Sequence, residues 1–303
     1  MSRVWAISPA VLAALLDLDG SLFAHGQVAE LEAARKKAAS AGGGGVGVVP
    51  LHGVLMPGGG GLLSLLFGGG GLESFQSDMR QAVADDSIDV IVMDVDSPGG
   101  MVDHIPETAA QIRAARAVKP VVAVSNTQAD SAAYWLASQA DEVSVTPSGE
   151  AGSIGVYRLH RDLSEAHAMR GIKPTLVSAG KFKVEGNPYE ALDDGAREQF
   201  QAEVDDYYGM FTADVAKGRG VAVADVKSGY GEGRALHAKQ AVQAGIADRV
   251  ETLQDAVRRV AHPRGRAALE DRRAAHHELE ESGPAQVAYT PDERRRLLAV
   301  LAN

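Results

Sequence analysis

Ser131 is the residue of this chain whose type and surroundings best suit nucleophilic catalysis. It follows a short apolar strand, Val121–Val124, and stands at the start of an alanine-rich helix predicted over Ser131–Gln139. A hydroxyl at a helix N-terminus lies among free N–H groups and near the positive end of the helix dipole, which favour negative charge. An ordinary N-cap serine has the same surroundings, so this segment alone leaves both interpretations open.

A catalytic serine needs a base within hydrogen-bond reach, and histidine is the usual one. Of the nine histidines, only His160 follows Ser131 at a suitable separation. Its neighbours Arg158 and Arg161 indicate an exposed loop or the start of a helix, which does not favour His160 as the base.

Lysine is the other candidate base, because a neutral amine in a desolvated site can accept the serine proton. The segment Ser178–Pro188 carries Lys181 and Lys183 on opposite sides of an extended chain, so that one of them can point inward. A solvated basic loop would have the same composition. This segment alone does not decide between the two interpretations.

Two glycines stand where a parallel sheet binds its ligands. The run Asp96–Gly100 directly follows the apolar strand Ile91–Val95, at the carboxyl end of that strand. Without a Cβ, Gly99 and Gly100 can present backbone N–H groups to a developing oxyanion. A plain Pro-Gly turn is the alternative interpretation.

The elements that must position these residues alternate between helix and strand from residue 72 onward. The strands are continuously apolar, which is typical of a largely parallel sheet covered by helices on both faces, and the sequence therefore predicts an α/β fold. The predicted strands are Val46–Leu55, Val90–Val95, Val121–Val124, Val143–Thr146, Thr175–Val177 and Ile246–Val250. The predicted helices are Leu72–Asp85, Ile105–Ala117, Ser131–Gln139, Asp193–Lys217 and Ala235–Ala244.

Four motifs occur in a characteristic order and spacing: V-D-S-P-G-G-M-V, S-A-A-Y-W-L-A-S, G-S-I-G-V and S-A-G-K-F-K-V-E-G-N-P-Y. Together they resemble the signal peptide peptidase A family of Ser-Lys serine peptidases, and most closely its phage branch of minor capsid protein C or prohead proteases. The resemblance covers residues from about 46 to 255. It implies a Clp/crotonase-like α/β fold.

The resemblance also implies a role for each catalytic side chain. The family's nucleophile falls on Ser131 and its general base on Lys183 rather than on Lys181. A third polar residue, which holds the lysine amine, falls on Ser153.

The implied oxyanion donors are the amide of Gly99 or Gly100 and the amide of Ala132. The chain departs from cellular members of the family after the nucleophile, where they tend to carry glycines and this chain has Ala132 and Ala133. The departure suggests a narrower site and fits the phage branch better.

Changes in composition divide the chain into three predicted parts. Residues 1–45 form a helical extension that ends in a glycine-rich linker, residues 46–261 form the peptidase domain, and residues 262–303 form a charged helical tail. Within the domain, the apolar hexamer 62–67 lies between two four-glycine runs and is expected to be a flexible loop or a flap that touches substrate or a neighbouring subunit.

Composition excludes several classes of function. The net charge of −10 and the scattered basic residues argue against a nucleic-acid partner, and the absence of cysteine excludes thiolate chemistry and disulfides. No segment is long and apolar enough to predict a membrane span, although the apolar run 11–16 leaves a weak signal peptide conceivable. We expect no metal and no cofactor.

The resemblance implies a serine endopeptidase that processes phage scaffold, capsid or portal precursors in the host cytoplasm, in association with the prohead. It also implies a homo-oligomer in which the serine and the lysine can meet across a subunit interface. The alternatives are a host peptidase that degrades signal peptides and a catalytically silent structural subunit of a phage head. A crotonase that acts on acyl-CoA is more distant, because it would need neither Ser131 nor Lys183.

Overall fold

A computed structural model describes residues 4–7, 45–57 and 71–282, with side chains up to residue 274. The predicted flap at 62–67, the predicted helix over most of residues 1–41 and the end of the predicted tail lie outside the described residues. Ten strands are described: β1 Val4–Ile7, β2 Val46–His52, β3 Val90–Ser97, β4 Gly99–Met101, β5 Val121–Asp130, β6 Glu142–Val145, β7 Glu150–Gly152, β8 Tyr157–Arg158, β9 Ala235–His237 and β10 Arg249–Val250.

The described α-helices lie between these strands and after them. They are α1 Gly71–Ala84, α2 Ile105–Val118, α3 Ala132–Ala137, α4 Ser164–Met169, α5 Asp194–Arg219, α6 Val223–Gly229, α7 Ala238–Ala244, α8 Leu253–Ala261 and α9 Pro263–Ser282. A single 3-10 turn, Gly231–Gly233, precedes β9.

The main sheet has the strand order β10-β6-β5-β3-β2, and all neighbours in this order are parallel. Alternate side chains of β3 enter two different cores: Ile91 and Met93 pack with α1, α2 and α3, whereas Val90 and Val92 pack with α8 and α9. Because both faces of the sheet are buried, its strands are continuously apolar, as the sequence analysis predicted. The α/β class and the largely parallel sheet are confirmed.

A small second sheet lies beside the carboxyl end of β3. In it β1 runs between β4 and β8 and is antiparallel to both. The prediction of a helix over the start of the chain is therefore wrong for Val4–Ile7. Valine, tryptophan and isoleucine favour a strand when neighbouring strands can pair with them. Here those neighbours, β4 and β8, lie about 100 and 150 positions later in the sequence, so the local pattern did not indicate them.

Two further predictions differ from the structure. Thr175–Val177 is not a strand, and Val177 is 95% exposed, because no other strand pairs with this segment within the described residues. The segment Ala235–His237 is strand β9, paired with β7, and the helix predicted from Ala235 begins only at Ala238.

Helix α9 is attached to the domain by buried side chains despite its charged composition. Leu269 is 1% exposed and belongs to the core beneath β3 and β5. Arg272 is buried as well, where its guanidinium lies 2.5 Å from an Asp248 carboxylate oxygen and donates to the Asp141 carbonyl at 2.8 Å. Among all described helices, none has the length and apolarity that crossing a bilayer would require.

Candidate active site

Ser131 occupies a strained junction between β5 and α3. Its backbone has φ 56° and ψ −120°, a conformation that costs a non-glycine residue on the order of 1–3 kcal/mol and that is concentrated at functional sites. The Ser131 amide donates to the Gly152 carbonyl at 2.7 Å, and its hydroxyl donates to the Gly155 carbonyl at 3.3 Å. The side chain caps no helix N–H, so the alternative of an ordinary N-cap serine has no support.

The turn before β4 comes close to this junction because it is made of glycine. A Cβ on Gly99, whose φ is +91°, would lie 2.3 Å from the Ala6 carbonyl oxygen, 2.9 Å from the Asp130 carbonyl oxygen and 3.0 Å from the Ala132 amide nitrogen. Any side chain at this position would push β1 and the Ser131 turn away. Gly99 therefore brings β4 into contact with the start of α3.

The peptide groups of β4 point alternately to its two sides. Toward Leu55, the carbonyl of Gly99 accepts at 2.9 Å and the amide of Met101 donates at 2.8 Å. The Gly99 carbonyl and the Gly100 N–H belong to one trans peptide group and point in opposite directions. The Gly100 amide therefore faces away from Leu55 and toward β1, where its register partner is Ala6. The Gly99 amide instead donates to Ser97 Oγ at 3.2 Å, which leaves Gly100 as the glycine whose amide faces the cleft.

Ala132 supplies the second candidate donor. It is the first residue of α3 and is fully buried, so its N–H lies outside the hydrogen-bond ladder of the helix. The backbone amides of Gly100 and Ala132 are therefore the candidate donors to an oxyanion near the Ser131 turn.

Ser153 and Ser131 each follow the last residue of a strand, and the two strands are paired. The preceding residues, Asp130 and Gly152, are register partners in the parallel pair β5–β7. Ser153 also has a positive φ, of 52°, and its amide donates to the Arg234 carbonyl at 3.0 Å. The register therefore places Ser153 and Ser131 directly after two paired strand residues, at the same edge of the sheet.

Lys183 lies in an exposed turn, where its amide donates to the Gly180 carbonyl at 3.2 Å. Within residues 4–7, 45–57 and 71–274, its amine takes part in no hydrogen bond or ion pair, and the Ser131 hydroxyl bonds to Gly155 instead. A single chain therefore does not join Lys183 to Ser131 by a hydrogen bond. Lys181 is also exposed, with its amine 4.7 Å from the centroid of the Phe182 ring.

The segment that leads to Lys183 exposes an unusual number of large apolar side chains. We call residues 169–183 the lysine arm. Its exposed apolar residues are Met169, Ile172, Leu176, Val177 and Phe182. Exposed clusters of this kind are typical of surfaces that bind another protein.

His160, the other candidate general base, contacts the segment that follows the lysine arm. Its Nε2 lies 3.0 Å from the Asn187 carbonyl oxygen, and its side chain is half-buried. This contact ties the chain after β8 to the segment that follows Lys183, which is a structural role.

Asp130 is a residue of the site that sequence reasoning missed. It directly precedes Ser131 and is only 5% exposed. Burial, the nearby charge of Glu150 and a hydrogen bond with that residue raise the pKa of the Asp130 carboxyl to about 7. The available signal was an acidic residue at the end of an apolar strand directly before the nucleophile.

Among the described residues, no group of three or more histidine or carboxylate side chains is placed to hold a metal ion. The candidate site consists of the buried Ser131, the backbone amides of Gly100 and Ala132, and the polar residues Ser153 and Asp130.

Comparison with known proteins identifies the family. The model of "Peptidase family S49" matches residues 113–266, which is half of the chain and includes Ser131, Ser153 and Lys183. The chain belongs to peptidase family S49.

Two curated relatives of this S49 chain come from phages. It is 35% identical to capsid assembly protease C of Escherichia phage lambda over 62% of its length, and 34% identical to head-tail preconnector protein GP5 of Enterobacteria phage P21 over 70% of its length. The chain spans 42% of the length of each of them. A solved structure of a membrane-bound stomatin-specific protease, 1510-N, aligns with 69% of this chain and 81% of its own at 14% identity and a TM-score of 0.42.

Proposed function

We propose that the chain is a serine endopeptidase in which Ser131 is the nucleophile and Lys183 the general base. The observation that carries the proposal is the backbone of Ser131, which is held at a positive φ in a buried turn next to the amides of Gly100 and Ala132. Membership of peptidase family S49 supports the same reaction class.

In the proposed reaction, the uncharged Lys183 amine takes the Ser131 proton as Oγ attacks a peptide carbonyl carbon. The resulting oxyanion is held by the amides of Gly100 and Ala132. The protonated amine then gives its proton to the leaving nitrogen, and water hydrolyses the acyl-enzyme in a second cycle of the same kind. Ser153 orients the lysine amine throughout.

The proposed dyad forms between subunits of a homo-oligomer. Three features support this arrangement. Lys183 is exposed in the single chain, and the lysine arm exposes large apolar side chains. The Ser131 hydroxyl donates to the Gly155 carbonyl at 3.3 Å rather than to a lysine amine. Burial of the arm against a neighbouring subunit would remove water from the amine, which a lysine base requires.

The proposed substrates are scaffold, capsid or portal proteins, cleaved in the host cytoplasm as the prohead assembles. The support is the pair of phage relatives, whose names describe capsid assembly and the head-tail connection. A protease that is complete only as an oligomer would be active where many copies are concentrated.

A casein hydrolysis assay with matched variants tests the dyad. We expect Ser131→Ala and Lys183→Ala to lose all measurable hydrolysis, and Lys181→Ala to retain it, because the two lysines are exposed in the same turn and only one is assigned to the site. Retention of activity by Lys183→Ala would contradict the assigned base. Circular dichroism of each variant controls for folding, and the scaffold and capsid proteins encoded by neighbouring genes then replace casein.

A further inference from the structure

Strand β1 lies outside the main sheet and pairs with a strand on each of its two edges. Its residues Val4–Ile7 lie between β4 and β8, with Ala6 opposite Gly100 and Trp5 opposite both Met101 and Tyr157. Both pairings are antiparallel, so β1 fills a slot between two strand edges. An extended peptide binds to proteins in the same way when it adds a strand to a sheet.

The register of β1 places one particular carbonyl at the proposed oxyanion donors. The Gly100 amide faces β1, and its register partner there is Ala6. The point at which a Gly99 Cβ would stand is 2.3 Å from the Ala6 carbonyl oxygen and 3.0 Å from the Ala132 amide nitrogen. The Ala6 carbonyl oxygen and the Ala132 amide nitrogen are therefore separated by at most the sum of these two distances. The Ala6 carbonyl therefore lies on the side of β1 that faces the Gly100 amide and close to the Ala132 amide, the two donors proposed for the oxyanion.

The side chains of β1 enter two different pockets. Val4 and Ala6 point into the main core, and Ala6 is 0% exposed. Trp5 and Ile7 pack on the other face, in a small cluster that includes Val54, Met56 and Tyr157. The inner face of β1 thus carries small and medium-sized side chains that are buried in the main core, whereas its outer face carries the larger side chains of Trp5 and Ile7.

We propose that Val4–Ile7 is a built-in occupant of the peptide-binding cleft, which excludes other peptides until it is displaced. The proposal rests on the proposed function of Ser131, because the cleft is defined by that residue and its oxyanion donors. It also predicts the substrate preference: a small residue at the scissile carbonyl, in the place of Ala6, and an apolar residue two positions before it, in the place of Val4.

A disulfide that locks β1 in place tests the proposal. Trp5 and Tyr157 are opposite each other in an antiparallel pair, where Cα atoms lie about 4.5–5.5 Å apart, within the range that a disulfide spans. The chain contains no cysteine, so the double variant Trp5→Cys/Tyr157→Cys can form only the intended bond within one chain. Casein hydrolysis is measured after oxidation and again after reduction, with each single cysteine variant as a control.

We expect the oxidised double variant to lose at least about tenfold in kcat/KM and to recover it on reduction. With β1 held in place by the disulfide, few or no molecules would have a free cleft that can bind a peptide. Three results would overturn the proposal: full activity of the cross-linked enzyme, failure of the cross-link to form within one chain, or a cross-link only between two chains. If the wild type and the cross-linked form hydrolyse casein equally well, the proposed function stands and the inhibitory role fails. If neither the wild type nor the reduced variant hydrolyses casein, and fluorophosphonate labels no Ser131, the proposed function fails and the inhibitory role with it.

Discussion

At the scale of single residues, the site depends on backbone positions that tolerate few side chains. Gly100 is the clearest case, because a Cβ there would lie 1.8 Å from the Leu55 carbonyl oxygen. This oxygen is a backbone atom, so rotation of a side chain cannot relieve the clash. The residue thereby sets both the path of β4 and the direction of the proposed oxyanion donor.

We predict that Gly100→Ala lowers kcat/KM for casein by about 100-fold or more. The added Cβ would displace β4 and turn the Gly100 amide away from the oxyanion, and loss of one oxyanion donor usually costs this much. Gly209→Ala is the matched control: a Cβ at this helical position meets no atom within 4 Å, and alanine favours a helix by about 1 kcal/mol. Equal activity of the two variants would show that Gly100 does not contribute a donor.

Asp130 gives the site a dependence on pH. An unfolded aspartate ionises near its usual pKa of 3.8, whereas the folded chain holds this proton until the pH reaches about 7. The unfolded state therefore binds fewer protons between these values, and the contribution of Asp130 to folding stability falls as the pH rises from about 4 to 7.

Asp130→Asn, which stays uncharged, should remove this loss. We predict that the variant gains stability relative to the wild type as the pH rises through this window, by up to a few kcal/mol, since each pKa unit corresponds to about 1.4 kcal/mol. Urea unfolding of both proteins at a series of pH values measures the difference. Parallel stability curves would mean that the Asp130 carboxyl is not perturbed by folding.

At the scale of elements, the sequence predicted regular structure well where neighbours in sequence are neighbours in space. The helices and strands from residue 71 to 145 alternate as expected, and Ser131 and the glycine turn lie at carboxyl ends of strands β5 and β3. Strand β1 was missed because its four residues gain a partner only through β4 and β8, which are remote in sequence. The strand predicted over Thr175–Val177 does not form, because a high β propensity does not by itself supply a neighbouring strand to pair with.

Helix α9 shows that a charged segment can complete a core. Its composition predicted a tail, yet Leu269 fills the layer between α8 and the sheet. We predict that Leu269→Ala lowers the free energy of unfolding by about 2–4 kcal/mol, the usual cost of such a cavity. Glu270→Ala, on the exposed side of the same helix, should change it by less than about 1 kcal/mol. Thermal or urea unfolding distinguishes the two, and equal effects would mean that α9 is not packed on the sheet.

At the scale of the whole molecule, the sequence could not place Lys183 relative to Ser131, because Lys183 lies in an exposed turn that no described contact joins to the Ser131 turn. The single chain leaves the lysine arm exposed and apolar, so we predict that the arm carries Lys183 into a neighbouring subunit. The surroundings of Ser131, in contrast, come from strands of one chain, which is why local sequence patterns could identify them.

Mixing two inactive variants tests assembly across subunits. In a mixed oligomer, the intact Ser131 of Lys183→Ala meets the intact Lys183 of Ser131→Ala, so we predict that the mixture regains a fraction of wild-type casein hydrolysis. Each variant alone should remain inactive at the same total concentration. No recovery after co-refolding, together with mixed oligomers detected by native mass spectrometry, would place the dyad within one subunit.

The central claim is that Ser131 is a nucleophile activated by Lys183, and peptide mapping of fluorophosphonate-treated protein tests it most directly. We predict a single adduct on Ser131 in the wild type and in Lys181→Ala, and its loss in Lys183→Ala. An adduct on another serine, or undiminished labelling of Ser131 in Lys183→Ala, would contradict the account.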